Sequence, residues 1–192
     1  MPVQDESEWT GPPRRSQQQI ITAAQLRQAG ITRGRLRWEL ETGRWQTVLP
    51  SVYAMFSGVL RERQRLIAAL LFGGPGAYLT GAAALGVHGF RNVPRDPSIR
   101  VLIPHERRIR SSGFVRVHRT TRPDPFARQD GALRLTSPER SVVEAALRCD
   151  DPRQVRAMVA ESVQAGFCTV NDLVREVGHA PRSGARAAGS FP

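Results

Sequence analysis

Apolar residues recur at helical spacing in two short stretches near the start of the chain. Leu26 lies in the first, residues 23–29, and Leu36 and Leu40 in the second, residues 33–42, so that all three can face one core. Thr22 and Thr32 stand where helix N-caps belong, and Gly30 can take the left-handed conformation that ends the first helix. After Gly43-Arg44 the period changes. Trp45-Gln46-Thr47-Val48 predicts a strand, Pro50-Ser51 a turn and Val52-Tyr53-Ala54-Met55 a returning strand. Two helices followed by a hairpin outline a winged helix-turn-helix over residues 17–56.

The following stretch, residues 57–178, mixes helices with short strands. A helix opening at residues 61–65 runs its apolar side through Leu66, Ile67, Leu70 and Leu71 and stops at Gly73-Gly74-Pro75-Gly76. Thr80 reads as the cap of a small-residue helix over residues 81–87, ended by Gly89. Residues 98–104 and 114–118 alternate as strands, with the charged residues 105–110 as a hairpin tip. Residues 119–130 read as a polar loop and residues 133–135 as a short strand. Ser137-Pro138 starts a helix to about Arg148, Asp150-Asp151-Pro152 caps another to Gln164, and Thr169 caps a last one to about Glu176. The expected fold class is α+β: an N-terminal winged helix-turn-helix followed by a mixed helix and small antiparallel sheet domain. Residues 1–16 read as a disordered segment and residues 179–192 as a flexible tail.

Charge gives the helix pair a direction. The net charge is +11, and every one of the 28 basic residues is arginine. Residues 14–53 carry seven arginines against two acids and residues 54–123 twelve against three, whereas residues 124–180 carry seven against nine. A basic surface beside a candidate recognition helix is the footprint of a protein that displaces counterions from phosphates. Thr32, Arg33, Arg35 and Arg37, at the start of the second helix, together with Arg44 after it, are the candidate DNA contacts. A solvated arginine-rich surface has the same composition. The basic tip at residues 105–110 has two readings as well, a supplement to DNA backbone contacts or a solvated turn.

Several chemistries lose support. With no lysine, the standard P-loop, Schiff-base and lysine-containing nuclease plans are excluded, and no GxGxxG, HExxH or GxSxG motif occurs. Cys149 and Cys168 are far apart, which argues against a zinc site or a disulfide framework. The longest apolar run, residues 66–72, is too short to cross a bilayer. A cytoplasmic protein without metal or cofactor is expected. An enzyme would have to rest on His88, His105, His118, His179 or scattered carboxylates, and no nucleophile or ligand spacing accompanies them. No enzymatic activity is expected. Glu139, Arg140 and Glu144 read as locally paired helix-start residues.

The segment TAAQLRQAGITRGRLRWELETGRWQTVLPSVYA, with LTGAAALGVHGF and LTSPERSVVEAAL, resembles the AbiEi-type antitoxins and related actinobacterial proteins over residues 17–178. Ser141 and Glu144 replace the usual Thr and Asp of the last motif, and Ser51 stands where Gly is usual. The resemblance implies a type IV toxin–antitoxin or abortive-infection antitoxin. Its winged helix would repress its own operon by binding double-stranded promoter DNA, and its second domain would counter a nucleotidyltransferase-like toxin, directly or indirectly. In many relatives a very-short-patch-repair-like endonuclease domain follows; here it is expected to be absent. Two alternatives stay open: a stand-alone DNA-binding remnant of such a fusion, and a protein-interaction module using the near-neutral residues 132–176.

Overall fold

The computed structural model describes residues 17–179; the expected disordered segment 1–16 and the tail beyond His179 lie outside the described residues. The chain begins with β1 (Ile20–Thr22), α1 (Ala23–Gln28), α2 (Arg33–Glu41), β2 (Gln46–Leu49) and β3 (Val52–Ala54). Thr22 caps α1 in a reciprocal box with Gln25, and Thr32 Oγ1 accepts from Arg35 N at 3.2 Å to cap α2. Gly30 between them is left-handed, with a φ of 74°. The three strands form an antiparallel sheet in the order β1-β3-β2. β1 is three residues long, too short to show a period in the sequence. The turn ties back to the helices, since Ala23 N donates to Ser51 O at 2.9 Å.

Ten elements follow: α3 (Glu62–Gly73), β4 (Tyr78–Thr80), α4 (Ala82–His88), β5 (Ile99–Pro104), β6 (Val115–Thr120), β7 (Arg128–Asp130), β8 (Leu133–Leu135), α5 (Pro138–Ala146), α6 (Pro152–Gln164) and α7 (Val170–His179). The fold is α+β. The second sheet has the order β6-β5-β4-β8-β7 and is mixed: β4–β5 and β7–β8 are antiparallel, β5–β6 and β4–β8 parallel. The parallel β5–β6 pair corrects the expected hairpin. Their connection spans residues 105–114, and ten extended residues reach up to about 35 Å, enough to return along a six-residue strand of about 20 Å.

Two further readings change. Thr80 does not cap α4; it is buried in β4, and Gly81 occupies the cap with a φ of 60° and ψ of −141°, a backbone conformation open to glycine alone. Part of the expected loop at residues 119–130 becomes β7, whose three residues are exposed and pair with β8 at the sheet edge.

One apolar core joins both sheets. Ile20, Leu49, Val52 and Ala54 belong to the same cluster as Leu66, Ile67, Leu79, Val101 and Leu133, with α3 between the sheets. A second core, holding Leu85, Val142, Met158 and Leu173, lies among α4 to α7. Phe90 stacks on Phe167 at its edge, with ring centroids 4.2 Å apart.

Candidate nucleic-acid interface

The five candidate residues lie on α2 and the loop after it, but their side chains differ in freedom. Arg35 Nη2 is 2.6 Å from Glu39 Oε1, and that carboxylate is buried. The Arg35 guanidinium also lies 4.7 Å from the centre of the Trp38 ring, and that of Arg44 lies 4.6 Å from it. Arg35 and Arg44 are therefore braced against the exposed Trp38. Arg37 pairs with Glu41 at 2.6 Å, both exposed, a contact that water screens strongly. Arg33 is exposed and enters no ion pair among the described residues. Arg33 and Arg37 are thus the two most able to reorient toward a ligand, while Arg35 shapes the helix. The bracing by Trp38 and Glu39 escaped the sequence reading, although the i, i+3 and i, i+4 spacings from Arg35 carry the signal.

Beneath the second sheet, the Thr136-Ser137-Pro138-Glu139-Arg140 stretch builds a buried polar network. Thr136 and Ser141 hydroxyls lie 2.8 Å apart, Ser141 Oγ donates to Ser137 O at 2.8 Å, and Ser137 N donates to Asp124 Oδ2 at 2.8 Å. Arg140 does not pair locally as expected. Its Nη1 donates to Arg122 O and its Nη2 to Thr120 Oγ1, each at 3.1 Å. Arg122 grips Glu176 of α7 with two hydrogen bonds, and Arg140 Nε lies 3.9 Å from the same carboxylate. Burial, and then the Arg122 charge, hold the Arg140 guanidinium below its ordinary pKa. Local pairing fails because α5 faces Arg140 inward, toward the end of β6. Glu144 does pair locally, with Arg148 at 2.8 Å.

A cleft of about 640 Å³ opens between α5 and the loop after α4, lined among others by Asp96, Arg100, Glu144, Arg148 and Cys149. Its charges are largely matched within the protein, Arg100 with Asp96 at 2.9 Å and Arg148 with Glu144. His118 Nε2 lies 3.3 Å from Arg100 Nη1, and burial followed by the Arg148 and Arg100 charges lowers its pKa. A neutral imidazole can accept there. His88 Nε2 donates to Thr136 O at 2.8 Å, and burial lowers its pKa as well. The histidines occupy separate places: α4, the β5–β6 connection, β6 and the end of α7. Among the described residues, no three His, Cys, Asp or Glu side chains gather as a metal site.

The class so defined is a small α+β protein in which a capped, arginine-bearing helix pair adjoins a three-stranded sheet, and that sheet shares one core with a mixed sheet. A family model for the AbiEi antitoxin C-terminal domain matches residues 76–191, and the chain belongs to that family. Membership supports an antitoxin role, which implies a toxin as counterpart. The crystal structure of the RV2827C protein from Mycobacterium tuberculosis shares the fold, with a TM-score of 0.54 and 20% identity over 86% of this chain and 68% of that one. No curated protein matches the chain. Among the described residues, no helix is long and apolar enough to cross a membrane.

Proposed function

We propose that residues 17–56 form a winged helix-turn-helix that binds double-stranded promoter DNA, and that the chain is a cytoplasmic antitoxin and autorepressor of a type IV toxin–antitoxin operon. The observation that carries this reading is the order β1-α1-α2-β2-β3, two capped helices set between the strands of one antiparallel sheet, with Arg33 and Arg37 exposed on the second helix. Arg33 and Arg37 reach base edges, Arg44 reaches phosphate, Thr32 sets the N-terminus of the helix, and Arg35 keeps its orientation. The remaining chain counters a nucleotidyltransferase-like toxin, in line with the antitoxin family it matches.

A gel-shift titration of the upstream DNA tests the reading. Arg33→Ala or Arg37→Ala is expected to cost about 1–3 kcal/mol on the cognate sequence and to relax specificity. Retention indifferent to sequence and to both substitutions would refute it.

A protein-binding face is favoured by α7, where Val170, Val174 and Val177 are exposed on one side. A toxin seated there predicts that Val174→Asp loses protection against the toxin while promoter binding is unchanged. Loss of neither removes α7 from the interaction.

A further inference from the structure

The β5–β6 connection does not stand alone in solvent. Ile109 and Phe114 pack on the core that holds Leu49, with Val48 packed beside it. Gly113 approaches β2 so closely that an added Cβ would stand 3.3 Å from Leu49 Cδ2. The connection is thus adjacent to the β2–β3 turn, although β3, α3, β4, α4 and β5 separate them in sequence.

Its arginines divide into two kinds. Arg107 Nη1 donates to Pro75 O at 3.0 Å and Arg116 Nη1 to Gly113 O at 2.9 Å, so both shape the backbone around them. Arg108 and Arg110 are exposed on either side of the partly buried Ile109 and make no ion pair or side-chain hydrogen bond among the described residues. Residues 105–119 hold five arginines against one acid, and Arg65 adds its guanidinium 4.7 Å from the centre of the Phe114 ring. The half-buried Ile109 anchors the backbone between two exposed cations and so keeps both beside the hairpin. Two unpaired cations on an anchored backbone suit the phosphates of a duplex.

We propose that Arg108 and Arg110 are a second phosphate-contacting element flanking the wing, so that the antitoxin-family region itself takes part in holding DNA. This rests on the DNA-binding reading of residues 17–56. Phosphate contacts position a protein without reading sequence, and each adds to the salt dependence of binding.

The test is anisotropy of the full chain with labelled upstream duplex and with a scrambled duplex, across four salt concentrations. The R108A/R110A variant is expected to weaken both duplexes equally and to reduce the slope of log K against log salt by about 1.8, at about 0.9 per lost phosphate contact. R108K/R110K should restore the slope, because charge and not fork geometry is at stake. An unchanged slope, while Arg33→Ala still weakens the upstream duplex, overturns this proposal and leaves the DNA reading intact. The same unchanged slope with lost protection against the toxin reassigns the pair to a protein partner. Wild-type chain that binds neither duplex overturns both.

Discussion

Arg140 and Glu176 illustrate how single side chains hold the second half of the molecule. Glu176 is 8% exposed and serves two guanidiniums, Arg122 directly and Arg140 at longer range. Glu176→Gln leaves the two cations facing each other without their counter-charge, and is expected to cost about 3 kcal/mol in urea unfolding at neutral pH. Arg140→Met removes a buried charge while Arg122 still satisfies Glu176, so its cost should be smaller; an equal or larger cost would refute this division of roles. The half-buried histidines add a pH dependence. Burial lowers the pKa of His88 and His118, so the folded state favours their neutral forms. Their contribution is complete above the ordinary histidine value of 6.5 and is lost as pH falls through the lower folded values. Melting temperature should therefore decline from pH 7.5 toward pH 5, and His118→Gln should flatten part of that decline. A profile unaltered by His118→Gln would remove its share.

The helices and turns of the N-terminal unit are governed by local chemistry, and the predictions there have signs that the contacts decide. Thr32→Ala removes the acceptor for Arg35 N and should cost about 1 kcal/mol. Gly34 sits in α2, where an added Cβ would meet only Thr32 Oγ1, at 3.9 Å. Gly34→Ala should therefore stabilise the protein by up to about 1 kcal/mol through helix propensity, and any loss of DNA affinity in that variant would mark close approach of a ligand to the helix backbone. Ser51 has a φ of 62°, a left-handed backbone that glycine adopts at less cost than serine. Ser51→Gly should stabilise by about 1 kcal/mol in chemical unfolding; destabilisation would mean that the turn is not strained. These caps were legible in the sequence because each depends on residues three or four apart.

At the scale of the whole molecule, the continuous core bears on how residues 17–56 and 57–178 behave as units. Ile67 of α3 is 2% exposed within the cluster that reaches from Ile20 to Leu135. Ile67→Ala is expected to cost about 2–5 kcal/mol. Tryptophan fluorescence and far-ultraviolet circular dichroism should then shift to lower denaturant together, since both sheets share the affected core. Separate transitions would instead support two independently folding units divided near residue 56. The basic surface belongs to this scale too, because residues 14–53 and 54–123 carry the excess in sequence while only the fold places part of the second set beside the β2–β3 turn.

What the sequence determined by itself was the α+β class, the caps at Thr22, Thr32, Asp151 and Thr169, the two helices of the N-terminal unit and the charge that makes DNA a reasonable partner. These follow from period, capping and composition, which act over a few residues or over the whole chain. Tertiary structure decided the rest. Three-residue strands such as β1, β4 and β7 exist because neighbours complete their hydrogen bonds, and the parallel course of β5 and β6 depends on sheet pairing across a connection that sequence alone reads as a hairpin. Arg140 turned toward Arg122 and Thr120, and the connection that carries Arg108 and Arg110 came to lie against Leu49 for the same reason: such partners are selected by packing between distant segments, which no local pattern records.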